Sequence, residues 1–205
     1  MGLSKETIKT SLDAISKVEP TLSEAITAAG YPEPRINPEG YQTLLRTIVG
    51  QQVSVASAAS VWNKLEALLG AGCPAEALIA TEFDELRACG LSRQKQGYAR
   101  SLAELILSGG LDLNNLPDDD EEAIALLTQV KGIGRWSAEI YLLFALGRPD
   151  IWPAGDLAIQ AGVGDILGHA TRPSEQDLRE IALPWSPHRG SIAIFIWHHY
   201  NTMVM

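Results

Sequence analysis

The stretch LLTQVKGIGRWSAEIYLLFALG, Leu126 to Gly147, decides how this chain is read. Two apolar segments flank a very short turn, Lys131-Gly132-Ile133-Gly134. That pattern predicts two helices joined as an αα-hairpin. Glycines two residues apart admit backbone conformations closed to residues with a Cβ. They also leave backbone N–H groups bare at the start of the second helix, and such a terminus is a ready site for an anion, phosphate included. Lys131 and Arg135 add positive charge on either side of the turn. A lone Gly-x-Gly does not separate a phosphate site from a tight turn that binds nothing. The apolar flanks together with V-K-G-I-G-R-W favour phosphate.

Outward from the hairpin the chain reads as helix after helix. Strand signals are weak, because no Asn-Gly or Asp-Gly turn separates two alternating runs. Leu3, Ile8, Leu12 and Ile15 fall at helical spacing. Pro32, Pro34 and Pro38 mark a connector. Helices are predicted over Tyr41–Val49 and Val55–Leu69, the latter capped by Ser54 and stopped by Gly70. Two short helices fall within 74–89, and a longer one runs from Ser92 to Leu107. The acidic run Asp118–Glu122 suits the first turn of the helix that leads into the hairpin. Beyond it, helices are predicted from Arg135 to Leu146, from Asp156 to Leu167, and near 174–182 and 188–201.

Composition bounds the function. The chain has 205 residues, 46% hydrophobic and 20% charged, which excludes a disordered or collagen-like chain and allows one large domain or two small lobes. Cys73 and Cys89 are too few for a disulfide framework and have no zinc or iron–sulfur spacing, so a reduced, cytoplasmic compartment is expected. The polar start MGLSKETIKT contains no signal-peptide apolar core, and no apolar run nears the roughly 20 residues of a membrane span. The net charge of −9 runs against the basic footprint usual for nucleic-acid binders. Acid, however, concentrates in 112–122. Arg87, Arg93, Lys95 and Arg100 follow one another with no Asp or Glu between them. With Lys131, Arg135 and Arg189 they are expected to form one basic face.

LTQVKGIGRWSAE resembles the hairpin of the helix–hairpin–helix (HhH-GPD) DNA glycosylase superfamily, whose motif is followed by a Gly/Pro-rich loop and an aspartate. Here that loop is Gly147-Arg148-Pro149-Asp150-Ile151-Trp152-Pro153-Ala154-Gly155, ending at Asp156. Within the superfamily, G-I-G-R-W looks most like the 3-methyladenine DNA glycosylase II branch. Ile48-Val49-Gly50-Gln51-Gln52-Val53-Ser54 resembles the loop that wedges into DNA. Trp185-Ser186-Pro187-His188-Arg189-Gly190-Ser191, with Ile196-Trp197, resembles the branch's W-x-P-W-R-S…W stretch. The similarity covers about residues 40–200. His188 departs from the usual Trp, Gly190 is an extra small residue, and the branch's pocket tyrosine falls on Ile140, next to Tyr141.

The resemblance implies site residues. Asp156 takes the place of the catalytic aspartate, which stabilises positive charge on the sugar as the base leaves, or activates a water. Read by itself, Asp156 is an ordinary helix N-cap, and one carboxylate can fill both roles. Trp136 stands where lyase members carry a lysine nucleophile, so a monofunctional enzyme with no Schiff base is expected. Trp136, Trp197 and Tyr141 would line the pocket for a flipped, cationic base. Trp152 and Trp185 read as core. Gln52 takes the wedge position, against the alternative of an idle polar loop residue. Lys131, Gly132, Ile133, Gly134 and Arg135 would meet DNA phosphate. The carbonyls of Thr128, Val130 and Ile133 would hold a monovalent cation, Na+ or K+, and no other cofactor is implied. His198 and His199 look like a metal pair, but adjacent helical positions point apart.

The expectation is therefore an all-α, two-lobed glycosylase fold. Residues 37–156 would form a central lobe ending in the hairpin (about 121–146) and its loop (147–156). Residues 1–36 with 157–205 would form the terminal lobe, with a cleft between the two. The expected function is removal of alkylated purines such as 3-methyladenine from double-stranded DNA in base excision repair, by a monomer without membrane association. The alternatives are a catalytically silent hairpin module that only binds DNA and a glycosylase for oxidised or deaminated bases. A silent module would not need Asp156. A neutral lesion would call for hydrogen-bond donors where rings stand here.

Overall fold

Serine and aspartate caps start half of the α-helices in the computed structural model, which describes residues 2–204. In chain order the helices are α1 Lys5–Ile15, α2 Pro20–Ala29, α3 Tyr41–Gly50, α4 Val55–Leu69, α5 Ala75–Ala80, α6 Phe83–Ala88, α7 Arg93–Leu107, α8 Asp120–Leu127, α9 Arg135–Phe144, α10 Leu157–Ile166, α11 Glu175–Ile181 and α12 Arg189–His199. A short tight helical turn, Leu183–Trp185, precedes α12, and a wider one, Tyr200–Val204, follows it. No strand occurs among the described residues. Ser54 and Ser92 cap α4 and α7 by accepting the N–H groups of Ser57 and Lys95, as the sequence predicts. Asp119 caps α8 and leaves Asp120, Glu121 and Glu122 in its first turn. Sequence reading passed over α2, although Pro20 at its first position and Leu22, Ala25 and Ile26 on one buried face were its signals.

Two compact units divide the chain. The central one is Pro38–Ala138. There α7 packs on α3 and α5, burying Leu44, Leu45, Ile48, Leu78, Ala99 and Leu102. The terminal one joins the residues up to Asn37 with those from Glu139 onward. Its centre is α12, which is buried nearly all round from Gly190 to Ile196 and packed by α1, α2 and α10. A helix apolar on every side belongs in a core.

This division corrects the expected boundary at 156, because residues 139–156 group with the terminal helices. Their bonds explain why. The Phe144 carbonyl accepts the Asn37 N–H, and the Trp152 indole donates to the Leu178 carbonyl. Trp152 and Trp185 meet edge to face with centroids 5.5 Å apart, in the core as expected. Gly190 donates to the Pro149 carbonyl, and a Cβ at Gly190 would lie 2.7 Å from that oxygen.

Asp150 anchors the start of α12. Its carboxylate accepts from Arg189 Nε at 2.8 Å and Nη2 at 2.7 Å, and from Ser186 Oγ at 2.7 Å. Burial by itself would raise the Asp150 pKa, but the Arg189 and Ser186 bonds outweigh it and hold the group below the ordinary carboxylate value. A carboxylate depressed in the folded state adds stability above its unfolded pKa, and that stability is lost as pH falls through the folded value. Thermal melts of wild type and Asp150→Asn should therefore differ most at neutral pH and converge below about pH 4. A difference that persists unchanged at pH 3 would contradict the ion-pair account.

Candidate functional site

In the central unit the turn between α8 and α9 is braced from two sides. Gly132 has φ +84°, and the Tyr98 ring lies against it so closely that a Cβ there would sit 2.2 Å from Tyr98 Cδ2. Gln51 Nε2 donates to the Gly132 carbonyl at 2.7 Å, and Ser101 Oγ accepts the Lys131 N–H at 3.1 Å. Gly134 differs: its backbone is not left-handed, and open space lies where its side chain would be. The N–H groups of Gly132 and Gly134 donate to no atom among the described residues, which leaves them for an outside acceptor at the start of α9.

Gln52 follows α3 with φ +55°, a conformation that costs a non-glycine residue energy and is often stored at functional sites. It is exposed, and it lines an open groove together with Gln51, Val53, Lys95, Tyr98 and Gly132. The structure thus brings the wedge candidate and the hairpin turn to one groove. The bracing by Gln51, Tyr98 and Ser101 was missed in sequence reading, because contacts across 30 or 81 residues leave no local signal.

Several of the cations expected on one basic face have partners within the fold. Lys95 Nζ donates to the Val49 carbonyl at 2.7 Å, and burial lowers its pKa. Arg100 donates to the carbonyls of Ile79 and Thr81 and stacks over the Phe83 ring. Arg135 makes a two-pronged pair with Glu121. Arg189 lies in the other unit and pairs with Asp150. These cations satisfy backbone oxygens and neighbouring carboxylates. Arg87 and Arg93 remain beside a surface pocket that Phe83, Asp84, Ser92 and Gln96 also line.

In the terminal unit Asp156 is the N-cap of α10. Its Oδ1 accepts the N–H groups of Ala158 at 2.9 Å and Ile159 at 3.0 Å, and also the Trp197 indole N–H at 3.1 Å. Trp197 packs against Phe144 with centroids 5.5 Å apart, and the Arg35 guanidinium sits 5.1 Å from the far partner's ring, that of Phe144. Tyr141 is buried, at 3% exposure. Trp136 belongs to the central unit and is 48% exposed. Glu139, only 2% exposed, has Arg179 Nη2 at 3.7 Å, a buried carboxyl group that sequence reading did not single out.

The remaining chemistry-bearing groups are occupied elsewhere. His198 bonds the Ala29 carbonyl and His199 bonds Asp165, so the adjacent pair serves two separate partners. Cys73 and Cys89 are buried, and burial pushes the Cys73 thiol up to about 11, away from thiolate chemistry. No group of three His, Cys, Asp or Glu among the described residues is placed to hold a metal ion. No helix among them is long and apolar enough to cross a membrane. At the hairpin, the Val130 carbonyl accepts the Ile133 N–H at 3.0 Å. The carbonyls of Thr128 and Ile133 accept nothing among the described residues. Such oxygens are suitable ligands for a monovalent cation.

Residues 45–187 match the HhH-GPD superfamily of base excision DNA repair proteins. The chain is 31% identical over 163 residues to DNA-3-methyladenine glycosylase 1 of Schizosaccharomyces pombe, covering 78% of this chain and 72% of that one. Its structure is similar to a crystal structure of a DNA-3-methyladenine glycosidase from Bacillus halodurans, with TM-score 0.87, 29% identity, and coverage of 95% and 90% of the two chains. It is also similar to the S. pombe 3-methyladenine DNA glycosylase in complex with abasic DNA, with TM-score 0.78, 28% identity, and coverage of 92% and 95%.

Proposed function

Because this chain belongs to the HhH-GPD superfamily of base excision DNA repair proteins, we propose that it is a DNA glycosylase that releases alkylated purines, 3-methyladenine foremost, by hydrolysis. The observation that carries this reading is Asp156: a carboxylate that follows the hairpin and its loop, fixed by three N–H donors on one oxygen. A silent DNA-binding module would need a cap at that position but no carboxylate, since Ser or Asn caps as well.

The central unit would hold the duplex. The bare N–H groups of Gly132 and Gly134, with Lys131, meet a phosphate, and Arg135 adds to them where it exchanges Glu121 for DNA. Gln52, exposed and poised in a strained turn, enters the stack as the lesion leaves, and its amide hydrogen-bonds the orphaned base. A monovalent cation on the carbonyls of Thr128, Val130 and Ile133 would add positive charge at the same turn.

The lesion supplies part of the driving force, since an N-alkylated purine is cationic and leaves readily. Electron-rich rings suit such a base, each good contact being worth about 0.5–2 kcal/mol, and Trp136, 48% exposed, presents one. Asp156 faces the charge that develops on the sugar and directs water to it. Trp136 stands where a lyase would need lysine, so the product is an abasic site in an uncut strand. The protein acts as a monomer on double-stranded DNA.

Duplexes carrying single defined lesions test this. Abasic sites are expected from 3-methyladenine and 7-methylguanine duplexes. The strand should stay intact until alkali is added, and borohydride should trap no protein–DNA adduct. Strand cleavage or adduct formation would refute the hydrolytic route, and release confined to oxidised bases would refute the lesion class.

A further inference from the structure

The sequence suggests the face of the Trp197 ring as its working part. The geometry points elsewhere: we propose that Trp197 is a positioning residue for Asp156, acting on the reaction through its indole N–H. This rests on the reading of Asp156 as the catalytic carboxylate.

Three donors converge on Asp156 Oδ1. Two of them, the N–H groups of Ala158 and Ile159, come from the helix that Asp156 itself caps, and any N-cap aspartate has such bonds. The third comes from α12, 41 residues away. It ties the carboxylate to a second element, so the side chain cannot swing about the cap. An indole has one donor and no acceptor, so it bonds a carboxylate in the ionised, accepting form without competing for protons.

The surroundings hold the indole to this task. Phe144, 3% exposed, packs on Trp197 at a tilt of 34° and is backed by Arg35. The residue before Trp197 closes the helix–helix distance: a Cβ on Gly162 of α10 would lie 2.6 Å from Ile196 Cγ2. Only a glycine there lets α12 come near enough to α10 for the indole to reach the cap. A reacting constellation needs placement to within about 0.5 Å, which two locked helices supply.

Two substitutions separate donor from ring. Trp197→Phe keeps an aromatic face and deletes the N–H. Trp197→His deletes the larger ring, while the imidazole Nε2–H can occupy the indole Nε1 position. In single-turnover assays at saturating DNA, Trp197→Phe should slow excision by about 10- to 100-fold, the loss expected for one hydrogen bond to a charged group. Cationic and neutral lesions should slow by the same factor, DNA affinity should hold, and Trp197→His should be the faster of the two variants. Wild-type rates in Trp197→Phe, a slower Trp197→His, or a loss confined to cationic lesions would overturn the proposal in favour of ring stacking. Should either variant melt early, the wild-type indole N–H resonance gives a second reading. It should be protected from solvent exchange and should move on Asp156→Ala, and an unmoved resonance overturns the bond. Failure of the wild-type protein to release any alkylated base would instead refute the functional reading, with the resonance still reporting the bond.

Discussion

Asp156→Asn is expected to abolish base excision in a protein that still folds and still binds DNA. Asparagine caps a helix about as well as aspartate, and its side-chain oxygen can accept the same three N–H groups. What it lacks is charge. Loss of a fixed group that stabilises charge in the transition state costs about 10²–10³ in rate for a single donor, and a full opposite charge beside the sugar stands at or beyond the top of that range. Asp156→Ala serves as the contrast, because it removes the cap as well and should lower stability by about 1 kcal/mol. Single-turnover abasic-site formation, measured beside thermal melts, separates the two effects. Unchanged turnover in a folded Asn variant would remove Asp156 from the mechanism.

The two glycines of the hairpin should fail in different ways. Gly132→Ala meets a left-handed backbone and the Tyr98 ring together. The first costs about 1–2 kcal/mol and the second about 1–3 kcal/mol, so urea unfolding should show a loss of about 2–5 kcal/mol. Tyr98→Ala should recover the part due to crowding and none of the part due to φ, which a double-mutant cycle can read. Gly134→Glu has room and an ordinary backbone, so it should fold normally. It should nonetheless weaken binding by about tenfold or more, since it sets a negative charge at the proposed phosphate site. The loss should be equal for intact and lesion-bearing duplexes, because phosphate contacts carry no base information. A Gly134→Glu defect seen only with lesion DNA would contradict the assigned role.

Much of the fold was legible because its signals are local. Ser54, Ser92 and Asp156 announce helix starts, and Gly70 and the hairpin glycines announce stops. The Asp156 cap and the Lys131–Gly134 turn were found by the same means. Long-range facts were not legible. The Trp197–Asp156 bond spans 41 residues, and the Gln51 brace on Gly132 spans 81. The partners of the basic residues were not legible either, because sequence counts charges without them: Lys95 and Arg100 bond backbone carbonyls, and Arg135 pairs with Glu121. The lobe boundary was misjudged for a related reason. The loop 147–156 was assigned by its nearness to the hairpin, whereas Asp150 and Trp152 are bonded to Arg189 and Leu178, far ahead in the chain.

The discontinuous terminal unit has a consequence for how the protein is made. The central unit is one unbroken segment, Pro38–Ala138. Its internal contacts lie within that segment, so it can form once Ala138 has cleared the ribosome, and domains form as units in order of synthesis. The helices α1 and α2 emerge first, yet they must wait for α12, the element on which both pack. Closing a loop of that length is entropically slow before its contacts can reward it. During synthesis, the Lys131–Gly134 turn can therefore be in place before α12 has emerged to bond Asp156. A nascent chain at that stage would have the hairpin turn folded and lack the Trp197 bond that ties Asp156 to a second helix.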